Sequence, residues 1–351
     1  MLEDSNAYRL ERNTLDAALS SQHLGCLWEV YANTLTPTPL PKDVPYLWAW
    51  RELRPLLYEA SRLVGPDEAE RRVIMLLNPG LNGAPAITQT LYAGMQIILP
   101  GEVARSHRHS PNALRFVVQG TGAFTAVNGE RTIMQPGDFV TTPTWVWHDH
   151  GNEAPDPVVW LDGLDMPIVT ALSAMFYEKY PVPQQPLTRP PGDSWARYGR
   201  GFRPAYDANR LPYSPIVSYP YQEARAALAQ IAHHDHGSPY DAILMQYLNP
   251  LTGGSVLPTM DAFLQWIPPE TDLAPHRHTG STVYLGVEGH GVLDIDGKDY
   301  AWEPHDVVVV PSWSVHRHRN PGQEPAILFS FSDLPILKAL SLYRETAEGI
   351  E

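Results

Sequence analysis

His107-Arg108-His109-Ser110-Pro111-Asn112-Ala113-Leu114-Arg115-Phe116 is the stretch that decides the fold, because its opening recurs as His276-Arg277-His278, 169 residues later. Outward from the first copy come the turn signals Gly120-Thr121-Gly122, Asn128-Gly129 and Pro136-Gly137-Asp138, and then His148-Asp149-His150. The second copy keeps the order, with Gly289-His290-Gly291, Asp296-Gly297, Pro304-His305-Asp306 and His316-Arg317-His318. Ten of the 14 histidines fall in these two constellations. His107, His109, Gly120 and Gly122 align with His276, His278, Gly289 and Gly291 without a gap. One deletion beyond the hairpin brings Asp138 over Asp306, Trp145 over Trp313 and His148 over His316. Duplication of one unit accounts for such a pattern.

Strand side chains alternate between faces, so an H-x-H places both imidazoles on one side. His148 reaches them only if the chain folds back, and the Gly and Pro-Gly-Asp turns supply the reversal. Short apolar runs lie between the turns: Gly94 to Leu99, Arg115 to Val118, Ala123 to Val127, Phe139 to Thr142 and Val158 to Leu161. The pattern resumes at Ala262 to Pro268, Val307 to Val310 and Ala326 to Phe331, as a compact β unit requires. Helices are predicted over Thr14 to Tyr31, over Pro55 to Val64 with Pro55 in the first turn, over Glu223 to Ile231, and over Asp333 to Thr346 behind a cap at Ser332 or Asp333. The expected organisation is an N-terminal helical and extended arm (1–75), a first β unit (76–175), a proline-rich connector with a helix (176–250) and a second β unit with a C-terminal helix (251–351).

The 351 residues are 43% hydrophobic and 18% charged, enough to bury cores in two domains. A formal net charge of -14 argues against a nucleic-acid partner and against an anionic membrane face. Cys26 is the single cysteine, which excludes an intrachain disulfide and thiolate-rich zinc sites. Met1-Leu2-Glu3-Asp4 is wrong for a secretory signal and no apolar run is long enough to span a bilayer, so a cytoplasmic protein is expected.

Three histidines converging from two strands form a facial metal site with open positions. His107, His109 and His148 are the candidate ligands of a first site, and His276, His278 and His316 those of a possible second divalent-metal site. Arg115 lies two residues beyond Ala113 and therefore faces the same interior. A guanidinium there needs an anion, either an internal carboxylate such as Asp162 or a substrate carboxylate held bidentately. The equivalent position in the second unit is Tyr284, which points to the first unit as the catalytic one.

This constellation resembles the cupin superfamily: Gly101, His107 and His109 match the opening of its first motif, and Pro136, Asp138 and His148 its second, with aspartate where glycine is usual. In the second unit His276, His278, Pro304, His316 and Asn320 do the same. The family's glutamate ligand is replaced by Ala113 and by Thr282, leaving three neutral histidines at each site. The fold class implied is all-β dominated, with duplicated cupin (double-stranded β-helix, jelly-roll) barrels and peripheral helices. The resemblance narrows to the bicupin ring-cleaving dioxygenases, namely gentisate 1,2-dioxygenases and their relatives acting on salicylate and 1-hydroxy-2-naphthoate. It is carried by Asn78-Pro79-Gly80-Leu81, Gly94-Met95-Gln96, the His107 to Phe116 stretch, Thr142-Pro143-x-Trp145, Trp160 to Asp165 and Pro311-Ser312-Trp313, and spans residues 40 to 345.

That resemblance implies Fe(II) held by His107, His109 and His148, with Arg115 on the substrate carboxylate and Arg71 as a second arginine. His150 becomes a pocket histidine placed to exchange a proton, Gln96 and Tyr92 line the cavity, and Asp162 lies beside it. Tyr92 stands where the salicylate-cleaving relative has tryptophan. The implied reaction is extradiol-type cleavage of gentisate (2,5-dihydroxybenzoate) by O2 between C1 and C2 to maleylpyruvate, in a homotetramer, with salicylate or 1-hydroxy-2-naphthoate as alternative substrates. A redox-neutral metal-dependent cupin isomerase or decarboxylase, and a non-catalytic binding cupin, share the same features and stay open at this point.

Overall fold

The computed structural model describes residues 6–347. Its chain divides into two compact units, residues 1–40 and 41–351. The first holds two helices, Asn6–Ser21 and Leu27–Thr34, where one helix from Thr14 to Tyr31 was expected. The break falls at His23, in the left-handed region at φ 55, where the Leu24 N–H turns back to the Leu19 carbonyl.

Four antiparallel sheets build the second unit. In the first repeat the larger sheet runs Ser218–Tyr219, Phe139–Thr142, Ala113–Gln119, Val158–Leu164, Tyr92–Ile98, Arg72–Met75. The smaller runs Tyr177–Lys179, Val103–His109, His148–Asn152, Ala123–Val127, Glu130–Ile133. The second repeat has a larger sheet of Tyr46–Trp48, Val307–Val310, Thr282–Glu288, Ala326–Ser332, Asp261–Ile267 and Ile243–Gln246. Its smaller sheet contains Lys298–Trp302, Gly291–Ile295, His316–Asn320, His276–His278 and Glu345–Ala347, and Thr271–Asp272 pairs beside them.

The expectation of closed barrels in an all-β dominated chain is therefore corrected. The sheets are cupin-like but open, no ladder joins the larger to the smaller sheet among the described residues, and eight α-helices make the fold mixed α/β. The physical reason lies at the edges. Strands from flanking segments, Tyr46–Trp48, Ser218–Tyr219, Tyr177–Lys179 and Glu345–Ala347, pair with the outer strands and occupy the hydrogen bonds that closure would need.

Side-chain alternation assigns each face. In Ala113–Gln119 the residues Leu114, Phe116 and Val118 enter a core shared with Leu264, Val283, Leu285, Phe329 and Phe331 of the second repeat. The two larger sheets thus pack back to back, with Phe116 stacked on Phe329 at 4.2 Å. Gly163 is needed at this seam, since a Cβ there would lie 2.8 Å from the Phe331 ring. Val117 faces the other way and packs with Val127, Val140 and Trp160 between the two sheets of its own repeat. These strands are buried on both faces, which is why they read as continuous apolar runs.

In the second unit two more helices differ from expectation. The second begins at Trp50, not Pro55, because the Trp50 N–H donates to Asp306 Oδ1 at 2.6 Å, and Pro55 lies inside Trp50–Leu63. The C-terminal helix is short, Leu334–Ala339; Ser341 turns left-handed at φ 59 and the chain returns as a strand beside His276. The connector helix spans Tyr221–Ala232. Among the described residues no helix is long and apolar enough to cross a membrane.

Candidate metal centre

His107 and His148 are direct partners in the antiparallel ladder, and His109 follows on the same face. Opposed strand residues carry Cβ atoms about 5 Å apart, so the rings meet without distortion. Ring centroids are separated by 4.0 Å for His107 and His148, 4.8 Å for His109 and His148, and 5.3 Å for His107 and His109. Each Nδ1 lies against a backbone carbonyl: Arg105 at 3.1 Å, Pro111 at 2.8 Å and Val146 at 2.9 Å, for His107, His109 and His148 in turn. A proton on each Nδ1 leaves each Nε2 with a lone pair, the tautomer a metal ligand requires. His148 Nε2 is buried without a hydrogen-bond partner, and one ligand atom from each ring lies within 4.8 Å of the others. The donor set therefore fits a divalent cation. Burial lowers the pKa of His109 to about 4 and, with the Arg71 charge, that of His107 to about 2; His148 is also held well below the usual range, so all three rings are neutral, the form that could ligate a cation.

Arg71 Nη2 also touches His107 Nδ1. A proton on that nitrogen directed to the Arg105 carbonyl repels the guanidinium, so the Arg71 contact and metal ligation by Nε2 compete.

The facing sheet brings Arg115 and Asp162 together as ladder partners. Arg115 is 4% exposed, donates from Nη1 to Thr142 Oγ1 at 2.6 Å, and has Nε 3.0 Å from Asp162 Oδ1. That last contact is a close ion pair whose N–H is not well aimed at the oxygen, since neither atom gains a hydrogen-bond partner. Burial pushes the Asp162 carboxyl up, against the pull of Arg115. Gln96 is buried in the Tyr92–Ile98 strand, and the Tyr92 phenol is pushed up by burial and then by Asp162. His150 is fully buried near Trp160; its Nδ1 meets Thr125 Oγ1 at 2.7 Å and its Nε2 has no partner.

Sequence reasoning passed over two residues that hold this arrangement. Arg108, between His107 and His109, points to the opposite face, where its guanidinium lies 4.5 Å from the ring centres of both Trp145 and Trp147 and donates from Nε to Glu178 at 2.8 Å. Asn112 ties the turn after His109 to the loop before His148, accepting from the Thr144 N–H and donating to Asp165, both at 2.9 Å. The alternation that assigns His107 and His109 to one face also assigns Arg108 to the other; nothing local signals the role of Asn112.

In the second repeat His276 and His316 are again ladder partners, with centroids 4.4 Å apart, and His278 lies 5.7 and 5.2 Å from them. Among the described residues, two groups bring three potential ligands within 4.8 Å: His107, His109 and His148, and Asp16, Cys26 and Glu29. The latter belongs to the 1–40 unit rather than to the second repeat, and Arg12 forms ion pairs with both of its carboxylates. Tyr284 is buried where the first repeat has Arg115, its ring 5.1 Å from that of His318.

A cupin-domain family model matches residues 94–164 and 263–332. Gentisate 1,2 dioxygenase 1 of Aquipseudomonas alcaligenes is 45% identical over 336 residues, 96% of each chain. The 1-hydroxy-2-naphthoate 1,2-dioxygenase of a Nocardioides species is 36% identical, covering 99% of this chain and 90% of that protein. The crystal structure of salicylate 1,2-dioxygenase from Pseudoaminobacter salicylatoxidans as an adduct with gentisate has a TM-score of 0.91 at 33% identity, covering 100% of this chain and 96% of that one.

Proposed function

The chain belongs to the bicupin ring-cleaving dioxygenases, and from that premise we propose that it cleaves gentisate with O2 between C1 and C2, giving maleylpyruvate, at Fe(II) held by His107, His109 and His148. The observation that carries this is the convergence of three neutral imidazoles opposite a buried guanidinium. Bound iron supplies the redox chemistry with dioxygen that no side chain offers.

Binding and orientation fall to the protein. Asp162 already neutralises one guanidinium, so a substrate carboxylate arriving at Arg115 makes two anions for one cation. Arg71, at the rim beside His107, restores the balance. This explains why two arginines serve one carboxylate. Thr142 and Asp162 hold Arg115 from two sides and fix the plane of its fork. Burial, with Arg115 and Arg71 nearby, holds the His150 imidazole well below its usual pKa, so its unpartnered Nε2 stays neutral and offers a ring hydroxyl a hydrogen-bond acceptor. Gln96, Tyr92 and Trp160 complete a wall that keeps water from the reacting ring.

Gentisate is favoured by the 45% identity to one gentisate enzyme, while three further gentisate enzymes, at 36%, 32% and 34%, stand level with the 5-aminosalicylate and 1-hydroxy-2-naphthoate enzymes at 35% and 36%. The assembly proposed is a homotetramer; the 1–40 unit supports it with Trp28 68% exposed and Leu24, Leu27 and Tyr31 exposed as well, surface that a subunit contact would cover. The test is anaerobic loading with Fe(II), then an oxygen-electrode panel of gentisate, salicylate, 5-aminosalicylate and 1-hydroxy-2-naphthoate. Gentisate should give the highest kcat/KM with one O2 taken up per ring opened. Turnover without O2 uptake would overturn the reading in favour of a redox-neutral reaction.

A further inference from the structure

A polar contact crosses from the second repeat to the loops that carry His109 and His148. Thr259 Oγ1 donates to Asp165 Oδ2, and Asn112 Nδ2 donates to that same oxygen and to Thr259 Oγ1, both at 2.9 Å. We propose that Thr259 is a positioning residue for the first site: from the second repeat, through Asp165 and Asn112, it sets the two loops that orient His109 and His148. This role rests on the reading of that site as an iron centre.

The route from Thr259 to the imidazoles is short. Asn112 directly follows Pro111, whose carbonyl holds His109 Nδ1. Asn112 Oδ1 accepts the Thr144 N–H at 2.9 Å, and Val146, two residues on, supplies the carbonyl that holds His148 Nδ1. Between them Trp145 sits in the left-handed region at φ 57 and donates its N–H to the His109 carbonyl at 2.8 Å. A tryptophan keeps that backbone conformation only where its surroundings hold it. Asp165 and Asn112 are 1% and 4% exposed, and Asp165 Oδ1 makes no hydrogen bond, so the buried carboxylate depends on the donors at Oδ2. Thr259 is itself fixed. Leu257 and Met260 beside it are fully buried in the seam between the larger sheets, and the Leu257 N–H donates to the Met260 carbonyl at 3.3 Å.

Duplication supplies a comparison within the chain. Thr90 lies 169 residues before Thr259 and donates to Asp333 Oδ2 at 2.5 Å. Asp165 and Asp333 each follow the last long strand of their repeat, so each repeat's threonine bonds the aspartate of the other. The next link differs. Ser281 stands 169 residues after Asn112 and reaches Asp333 with its backbone N–H, at 2.8 Å. A serine side chain is too short to bond the aspartate and the facing loop together as the Asn112 amide does. Among the described residues, the arm that carries this brace to the loop before the third histidine belongs to the first repeat. That is the repeat whose three histidines converge.

The rival is a seam contact that stabilises the fold and leaves the site untouched. In the full chain, Thr259→Val keeps the shape and removes the donor, with Thr259→Ala in its place should the valine not fold. Thr259→Ser keeps the hydroxyl, and Thr90→Val removes the mirror contact. Hydrogen exchange of the metal-free protein, read by mass spectrometry, should quicken about fivefold at the amides of residues 144–147 in Thr259→Val. Thr90→Val should exchange there at the wild-type rate, although both variants melt lower. After anaerobic loading with Fe(II), Thr259→Val should release iron to a chelator about threefold faster and lose about threefold in kcat per bound iron, with KM little changed. Thr259→Ser should restore both. Wild-type exchange and iron release in Thr259→Val would overturn the proposal, as would equal effects of Thr259→Val and Thr90→Val at residues 144–147. The first-site reading fails separately, if the wild-type protein holds no iron or takes up no O2 with any acid of the panel.

Discussion

Arg115 is the residue on which sequence and structure exchange most information. Its interior position was legible from its spacing to Ala113, and so were the two anions that could meet it. The structure shows the Asp162 pair at 3.0 Å, and the carboxylate clamp proposed above would build on that pair instead of replacing it. A simple deletion would therefore mislead. Arg115→Met leaves Asp162 buried and unpaired, which costs about 3–5 kcal/mol by the usual measure of a broken buried pair. In Arg115→Met/Asp162→Asn no charge is stranded, so melting should return close to wild type while KM for gentisate stays raised more than tenfold. Recovery of KM together with stability would show that Arg115 is structural only. His148→Ala removes the one proposed ligand whose free nitrogen is wholly buried, and should abolish first-site iron and turnover together, as iron content and oxygen uptake on the folded variant will report.

At the scale of elements, the strands inside each repeat could be read from the short apolar runs between turn residues, but the strands that cover the edges could not. Tyr177–Lys179 carries no apolar alternation, and it is a strand because the His107 strand offers it a ladder. The same lack of local signal hid the shortened C-terminal helix, since Ile336, Leu337, Leu340 and Tyr343 fit a helical face until the chain is drawn back beside His276. Arg108 joins three pieces here: its own ligand strand, the Trp145 and Trp147 loop that leads to His148, and Glu178 on the edge strand. Cation–π contacts and two charge-assisted hydrogen bonds to Glu178 together contribute about 1–3 kcal/mol. Arg108→Ala should accordingly release first-site iron to a chelator several-fold faster than wild type, with the global melt lowered only slightly. Arg108→Lys should not rescue it, because an ammonium cannot stack between two indoles. An unchanged release rate in Arg108→Ala would mean that the ligands are held without this strap.

Across the whole molecule, duplication was evident from the histidine repeat, and the apolar runs marked a compact β unit. That each repeat is covered by the other was not legible, because the contact joining Phe116 to Phe329 spans most of the chain and leaves no periodic trace. The connector adds a polar link across the same seam: Tyr221 and Arg225, on the Tyr221–Ala232 helix, bond Glu288 of the second repeat at 2.6 to 2.9 Å. Burial alone would raise the Glu288 carboxyl, but the hydrogen bonds from Arg225 and Tyr221 outweigh it and hold the pKa below the usual glutamate value of 4.5. A depressed pKa in the folded state means that the unfolded chain takes up the proton first. The stabilisation is then fully present above about pH 4.5 and is lost as pH falls through the folded-state value. Glu288→Gln, which keeps the shape and removes the charge, should lower the melting temperature at pH 7. The difference from wild type should shrink steadily below pH 4.5, as the native carboxylate protonates and loses its charge. A gap between the two proteins that held constant from pH 7 to pH 3 would show that Glu288 joins the connector to the second repeat by packing and not by charge.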